Sequence, residues 1–159
     1  MKTLFVFTGG GLAPVLNPTL YGVVTAARQK GWRVLGGLHG WASLLSEGRY
    51  VDFTNLNIES LKENGGTILR SSRTNPYAVA DGVKQVKKTL ETREIDAIVA
   101  IGGDDTLGAA AKLAADGVHI VGIPKTVDND LPGTYFTPGF PSAAYYLAAF
   151  VDEIKRDAA

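Results

Sequence analysis

The sequence predicts an α/β fold, a doubly wound and mostly parallel sheet sandwiched by helices in a single domain. Short, continuous apolar runs alternate with longer segments of helical periodicity along the 159 residues. This alternation is typical of parallel strands that are covered on both faces. Glycine pairs or triplets follow several of the apolar runs. Because ligands bind beyond the carboxyl ends of the strands in such sheets, the segments that follow the strands are the candidate sites.

The predicted elements cover most of the chain. Apolar runs predict strands at residues 3–8, 33–38, 67–69, 96–101 and 118–123. Apolar residues spaced three and four apart predict helices at about residues 18–30, 77–92, 106–115 and 141–156, with a further short helix near 41–45. Trp41, as well as Tyr145 and Tyr146 of the last helix, is expected to lie in the core rather than to stack on a ligand. A long polar loop, residues 125–138, precedes that helix.

Composition and charge exclude several classes of function. The 16 basic residues equal the 16 acidic residues, so the chain lacks the broad positive surface of nucleic-acid-binding proteins. The absence of cysteine excludes disulfides and thiolate metal sites, and the only two histidines, far apart in sequence, argue against a zinc site. No apolar run has the length of a membrane span or of a signal peptide core. We therefore expect a cytoplasmic protein with no nucleic-acid or membrane partner.

The first candidate site is the turn Gly102-Gly103-Asp104-Asp105-Thr106 between a predicted strand and a predicted helix. The two glycines allow close backbone approach, and the helix N-terminus offers free N–H groups to an anion. An aspartate in such a turn suits a Mg²⁺ ion that bridges phosphate oxygens. The alternative is an ordinary helix cap, because Asp and Thr are good N-cap residues.

The second candidate site is the loop Pro124-Lys125-Thr126-Val127-Asp128-Asn129-Asp130, directly after a buried strand. In an extended segment alternate side chains share a face, so Asp128 and Asp130 are expected to converge. A carboxylate there is suited to act as a general base for a substrate hydroxyl, and Lys125 to neutralise a phosphoryl group in transfer. Alone, this loop is equally typical of a polar surface turn; its position on the same sheet edge as the first turn favours a joint site.

The third candidate site is Gly9-Gly10-Gly11, which follows the first strand. It matches neither the G-x-G-x-x-G spacing of dinucleotide sites nor a P-loop. Its glycines are still able to supply an N–H to a phosphate oxygen. Arg70 and Arg73 are a candidate phosphate clamp, because guanidinium groups match phosphate oxygens; the alternative is that both arginines are merely solvated.

These motifs, in this order, resemble the phosphofructokinase family. The resemblance is carried by Gly10-Gly11, Ala13-Pro14, Asn17, Gly65-Gly66-Thr67, Ser71-Ser72-Arg73, Gly102-Gly103-Asp104, the Pro124–Asp130 loop, Gly133-Thr134, Thr137 and Gly139-Phe140. It spans nearly the whole chain, and the Pro124–Asp130 loop is its most specific part. It implies phosphoryl transfer to the 1-hydroxyl of fructose 6-phosphate in glycolysis, with Mg²⁺ as cofactor.

The resemblance also implies roles for individual residues. Asp128 is implied as the base that accepts the sugar hydroxyl proton, with Thr126 and Asp130 beside it. Asp104 is implied as the magnesium-linked aspartate. The donor phosphates are assigned to the set Gly11, Arg73, Gly103, Asp105, Thr106 and Lys125.

The phosphoryl donor is predicted to be pyrophosphate rather than ATP. ATP-dependent members of the family typically carry glycine where this chain has Asp105, and an aspartate there would crowd and repel the α-phosphate of ATP. Lys125 suits a compact, highly charged donor. ATP stays the alternative, since Trp41 falls near a position where ATP users place an aromatic residue that stacks on adenine.

The length of the chain separates it from the full family pattern. Family chains are roughly twice as long, so residues 1–159 are predicted to be the N-terminal, donor-binding domain, with the C-terminal domain absent. Whether this half alone catalyses the reaction or only binds is left open. Departures from the family pattern are Leu12, Val15 and Pro141. A homo-oligomer is expected, because loss of the second half exposes an apolar edge.

Two further functions compete with this interpretation. One is another kinase that shares the Gly-Gly-Asp-x-Thr turn, such as an NAD or lipid kinase, although those families lack the Pro124–Asp130 loop. The other is a non-catalytic domain that folds and self-associates.

Overall fold

The computed structural model describes residues 1–45 and 48–158. Within them, one five-stranded sheet has the strand order β3-β2-β1-β4-β5. All neighbouring strands are parallel except β2 and β3, which are antiparallel. The strands are β1 (Thr3–Thr8), β2 (Arg33–Gly37), β3 (Tyr50–Asp52), β4 (Ala97–Gly102) and β5 (Ile120–Pro124).

Helices follow most of the strands, as a parallel sheet requires. They are α1 (Leu16–Gln29), α2 (Gly82–Thr92), α3 (Asp104–Ala115) and α4 (Phe140–Asp157). Short 3-10 helices form at Gly40–Leu44, Glu59–Lys62 and Pro76–Ala78. None of the helices in the described part of the chain combines the length and apolar character needed to cross a membrane.

The helices cover both faces of the sheet, which confirms the predicted doubly wound arrangement. Alternate residues of β1 point to opposite faces. Leu4 and Val6 pack in one core cluster with Leu16, Leu20 and Val24 of α1. On the other face, Phe5 and Phe7 pack with residues of the helices that follow, including Val86 of α2 and Ala109 and Leu113 of α3.

Two predictions about the middle of the chain are wrong. Residues 67–69 form a turn rather than a strand; Leu69 is fully buried there, and Thr67 Oγ1 shares a hydrogen bond of 2.8 Å with Thr8 Oγ1. Leu69 is buried because it packs over Gly36 of β2, and not because it pairs with a strand, while Ile68 beside it is 46% exposed. The edge strand is instead β3, which the sequence does not predict. It has only three residues, with Tyr50 and Asp52 exposed, so it is too short to show an alternation of apolar and polar side chains.

Helix α2 begins five residues later than predicted, at Gly82. Asp81 has a φ of +53°, a left-handed conformation that a helix cannot continue through. The preceding residues form the separate 3-10 helix Pro76–Ala78. The predicted helix 77–92 therefore joined two elements whose apolar residues happen to be in phase.

Helix α4 forms as predicted, but it is not part of the core. None of its described side chains is buried, and the side chains of Tyr145 and Tyr146 are 72% and 67% exposed. The expectation that both tyrosines are core residues is therefore wrong. Apolar spacing identifies a face that needs a partner, but it does not say whether the same chain supplies one.

The start of α3 fixes the geometry of the sheet edge. Thr106 is 4% exposed and packs between the turns that follow β1 and β4. A Cβ placed on Gly9 would lie 2.5 Å from Thr106 Oγ1, and one on Gly102 would lie 2.5 Å from Thr106 Cβ. Both turns therefore require glycine because α3 approaches their backbone so closely.

This packing predicts that Gly9→Ala lowers the free energy of unfolding by about 1–3 kcal/mol, the usual cost of overpacking. The cost should shrink when Thr106 is also changed to alanine, because the Oγ1 and Cγ2 atoms that meet the new Cβ are then gone. Urea denaturation of the single and double variants measures this coupling. Gly108→Ala is the control: no atom lies within 4 Å of its Cβ position, so it should stabilise α3 by up to about 1 kcal/mol. An equal cost of Gly9→Ala in both backgrounds would contradict the proposed contact.

Candidate functional site

A cavity of about 350 Å³ lies at the carboxyl ends of β1, β4 and β5. Its walls come from the three turns that the sequence singled out and from one arginine of the segment after residue 69. The lining residues are Gly10, Gly11, Leu12, Arg73, Gly103, Asp104, Asp105, Thr106, Lys125, Thr126, Val127, Asp128 and Asp130. All the residues that the resemblance assigned to catalysis, to Mg²⁺ or to the donor phosphates line this one cavity.

The turn from β4 into α3 presents a helix N-terminus to the cavity. Gly103 is the N-cap residue, and no side chain caps the helix. Asp104, Asp105 and Thr106 lie inside the first turn, so they do not act as caps, and the alternative interpretation of this motif does not hold. The first N–H groups of α3 have no intrahelical partner and are available to a ligand or to water.

Lys125 joins two of the turns through a buried ammonium group. The residue is 3% exposed, and its Nζ donates a 2.6 Å hydrogen bond to the carbonyl oxygen of Gly11. Its backbone N–H donates to the carbonyl oxygen of Gly102 at 2.9 Å. Burial lowers the pKa of Lys125 below its ordinary value of 10.5, while the nearby charge of Asp128 acts in the opposite direction. Burial therefore disfavours the charged form of Lys125, and a bound anion would stabilise that form.

The loop after Lys125 is held by its own polar groups. The Asp128 N–H donates to Thr126 Oγ1 at 3.1 Å, and that hydroxyl in turn lies 3.4 Å from Asp128 Oδ2. The Thr126 N–H donates to the carbonyl oxygen of Pro138 at 3.2 Å. Asp128 and Asp130 both line the cavity, as their alternation predicted.

Asn129 and Thr137 support this loop, and the sequence reasoning missed both roles. Asn129 has a φ of +54°, and its Oδ1 accepts a 2.9 Å hydrogen bond from the Thr137 N–H. The Thr137 side chain is fully buried, and its Oγ1 donates to the carbonyl oxygen of Thr126 at 3.2 Å. The sequence contained one indication of the role of Asn129, because asparagine is one of the few residues that readily adopts a left-handed backbone.

The acidic residues of the cavity fit a magnesium ion that takes its remaining ligands from a bound phosphate. Four aspartates, Asp104, Asp105, Asp128 and Asp130, line the cavity. Within residues 1–45 and 48–158, no three acidic or histidine side chains come close enough to form a complete metal cage. Mg²⁺ usually binds one or two carboxylates together with water and substrate phosphates. The donor set suits that mode of binding.

The structure separates the two candidate clamp arginines. Arg73 lines the 350 Å³ cavity, while Arg70 lines only an adjoining cavity of about 440 Å³ that Arg73 also borders. Arg73 therefore borders both cavities and Arg70 borders the second alone, so the two guanidinium groups could clamp one phosphate only where the cavities meet.

Trp41 does not take part in the site. It is 2% exposed, and its ring packs 4.6 Å from the ring of Phe7, centroid to centroid. Trp41 belongs to the core cluster beneath β1 and β2, which confirms the expectation that it is a core residue and gives no support to a role in stacking adenine.

Comparisons with known proteins agree on one family. The family model described as phosphofructokinase matches residues 3–159. The chain is 43% identical over 155 residues to the pyrophosphate–fructose 6-phosphate 1-phosphotransferase of Amycolatopsis mediterranei, covering 96% of this chain and 45% of that protein. It is 40% identical over 152 residues to the ATP-dependent 6-phosphofructokinase of Corynebacterium efficiens, covering 95% and 44%.

A solved structure gives the same result. The pyrophosphate-dependent phosphofructokinase from Marinobacter aquaeolei superposes with a TM-score of 0.87 at 30% identity, covering 99% of this chain and 42% of that one. The chain thus spans less than half the length of the relatives it matches. With a family model that covers almost every residue and relatives above 40% identity, the chain belongs to the phosphofructokinase family.

Proposed function

We propose that this chain is the donor-binding part of an enzyme that transfers a phosphoryl group from pyrophosphate to the 1-hydroxyl of fructose 6-phosphate. The observation that carries the proposal is the convergence of three turns on one cavity that combines a buried lysine, an arginine, a helix N-terminus and four aspartates. Relatives named for this reaction match the chain over 96% of its length. We place the reaction in glycolysis and in the cytoplasm.

The chain is proposed to correspond to the N-terminal domain of its family. Relatives are about twice as long, so the acceptor sugar is expected to need residues that these 159 do not include. The cavity described here is the part that would hold the donor. A coupled assay of phosphoryl transfer, together with calorimetry of donor binding, distinguishes a chain that catalyses the reaction by itself from one that only binds the donor.

The donor phosphates are assigned to groups that carry positive charge or free N–H bonds. Gly11 and Gly103 offer backbone at the cavity wall, and Thr106 lies in the first turn of α3. Arg73 and Lys125 supply the cations. Lys125 is already desolvated, so its charge interacts with a phosphoryl group more strongly than a solvated lysine would.

Proton transfer is assigned to Asp128. Its carboxylate would accept the proton of the sugar 1-hydroxyl as that oxygen forms a bond to phosphorus. The bond from phosphorus to the bridging oxygen then breaks, and orthophosphate leaves. The Thr126 hydroxyl, 3.4 Å from Asp128 Oδ2, would hold the carboxylate in place, with Asp130 on the same loop.

Asp104 is assigned to Mg²⁺, with Asp130, which lines the same cavity, as the second candidate. When bound, the ion would neutralise charge on the donor oxygens and draw the two phosphates into one orientation. The N-terminal position of Asp104 in α3 places a carboxylate beside the free N–H groups, so metal and phosphate would share one wall of the cavity.

Pyrophosphate is preferred over ATP on electrostatic grounds. Asp105 lines the donor cavity, and a carboxylate there would repel the α-phosphate of a nucleotide. The burial of Trp41 removes the one residue that favoured an adenine site. Relatives with either donor match the chain, so ATP stays the alternative that the donor experiment must test.

The first test of the proposal measures binding and transfer separately. Asp128→Asn should keep the Mg²⁺-dependent binding of pyrophosphate but lower transfer to fructose 6-phosphate by about 10²–10⁴-fold, because an amide cannot accept the proton. Isothermal titration calorimetry gives the binding, and a coupled assay gives the transfer.

Asp116→Asn, with the same change of charge at the opposite end of α3, is the matched control and should leave both readouts unchanged. Binding without transfer by the wild type would assign this chain to donor binding alone. A lack of Mg²⁺-dependent binding of either donor would contradict the proposed site.

Donor choice has its own prediction. Asp105→Gly should lower the dissociation constant for MgATP relative to that for magnesium pyrophosphate by roughly tenfold, since a like charge in contact with the α-phosphate is removed. Asp105→Asn separates charge from size and should give part of the change. Calorimetry with both donors measures the ratio, and a wild type that already binds MgATP more tightly than pyrophosphate would overturn the preference.

We also propose that the chain forms a homo-oligomer through α4. Six large apolar side chains on this helix are each more than half exposed: Tyr145, Tyr146, Leu147, Phe150, Val151 and Ile154. With roughly 150–250 Å² of surface for each aromatic residue, they expose several hundred Å², on the scale of the ~800 Å² that one partner contributes to a stable interface. A second copy of α4 is the partner that the chain itself offers.

Phe150→Asp should therefore shift the chain toward monomer, because a carboxylate would be buried at the interface. Light scattering coupled to size exclusion measures the mass over a range of concentrations. Leu56→Asp is the control, since Leu56 is an exposed apolar residue outside α4. A wild type that is monomeric at every concentration would contradict self-association; self-association without binding of either donor would instead favour a non-catalytic domain.

A further inference from the structure

A second cavity adjoins the donor cavity and shares one wall with it. The shared residues are Gly10, Gly11, Leu12 and Arg73. The second cavity measures about 440 Å³ and is completed by Thr67, Arg70, Ser71 and Ser72. A group bound against this shared wall would therefore contact residues that also line the other cavity.

Arg70 occupies a backbone conformation that glycine would adopt without strain. Its φ is +59°, in the left-handed region that costs an ordinary residue on the order of 1–2 kcal/mol. Such strain persists where the surroundings hold the residue in place, and it is concentrated at functional sites. Arg70 thus places a long cationic side chain at a position whose backbone conformation disfavours any residue with a β-carbon.

Hydrogen bonds to the first turn hold the Arg70 segment against the donor cavity. Thr8 Oγ1 donates to the carbonyl oxygen of Arg70 at 2.7 Å. Ser71 Oγ donates to the carbonyl oxygen of Gly10, and the Gly10 N–H donates to the carbonyl oxygen of Ser72 at 3.3 Å. The backbone that carries the guanidinium is therefore tied to the glycine turn proposed to hold the donor.

The guanidinium groups of Arg70 and Arg73 are both available to a ligand. Within residues 1–45 and 48–158, neither forms a side-chain hydrogen bond, an ion pair or a contact over an aromatic ring. Among the described residues that line the donor cavity, four aspartates face only two basic side chains, Lys125 and Arg73. An anionic donor there would gain from a third cation, and Arg70 on the adjoining wall supplies it.

We propose that Arg70 is a specificity-determining residue that, with Arg73, binds the leaving-group phosphate of the donor. This inference rests on the proposed function. In pyrophosphate the leaving phosphate is terminal, so three of its oxygens are free for two guanidinium forks. In a nucleotide the corresponding β-phosphate is bonded onward to the α-phosphate and has one oxygen fewer to offer. Arg70 therefore favours a terminal phosphate, and Asp105 disfavours an extended one.

The test is the substitution Arg70→Gly, which removes the guanidinium and relieves the backbone strain, so the variant should fold at least as stably as the wild type. Calorimetry in the presence of Mg²⁺ should show pyrophosphate and orthophosphate each bound roughly tenfold more weakly. Binding of ATP should change by less than about threefold, because its β-phosphate uses Arg70 less. Lys30→Ala is the control, since it removes one positive charge just after α1, at the opposite edge of the sheet.

Each outcome bears on the proposal. Unchanged binding of pyrophosphate and orthophosphate in Arg70→Gly would overturn it, and so would an equal loss of ATP binding, which would mark Arg70 as a general anion attractor. If the wild type fails to bind pyrophosphate but binds orthophosphate through Arg70, the subsite stands and the proposed function fails. If neither phosphate binds the wild type, both are overturned.

Discussion

The contact of Thr106 with the backbone of Gly9 and Gly102 sets the geometry on which the rest of the site depends. Neither turn has room for a β-carbon beside this side chain, so α3 begins against the ends of two neighbouring strands. The N-terminus of α3 is thereby held beside the glycine turn after β1. Because the strands are parallel, their carboxyl ends lie on one edge, and the loop after β5 joins them there. The cavity is a consequence of this close approach.

The second constraint is the charge of the side chains that line the cavity, because it determines which ligand the packed site favours. Lys125 is buried and bridges two of the loops. Its positive charge reduces the repulsion among the aspartates that line the same cavity. Burial lowers the pKa of that lysine and a neighbouring carboxylate raises it, so its protonation depends on the balance of nearby charges. A highly charged phosphate ligand together with a divalent cation would shift that balance toward the charged lysine. Binding of an anion in this cavity would therefore stabilise the charged form of Lys125.

The two sides of the molecule differ in how completely they are packed. The clusters on either face of the sheet are filled by β1 with α1 on one side and with α2 and α3 on the other. Helix α4 contributes no buried residue, although its sequence has the apolar face of a packed helix. The packed part of the chain thus forms the cavity at the strand ends, while the apolar face of α4 stays exposed.

The sequence by itself determined the sheet class, four of its strands, and the residues of the three turns, because glycines, charged residues and apolar runs are local signals. It also placed the residues of the three turns at a common edge, since parallel strands bring their carboxyl ends together. Only the tertiary structure decided that Trp41 packs against Phe7 and that Arg73 borders both cavities while Arg70 borders the second alone. It also decided that residues 67–69 form a turn and that α4 is exposed. These features depend on which distant segment of the chain covers a side chain. A contact between distant segments produces no periodic pattern of apolar residues in either segment, so it cannot be predicted from the local sequence.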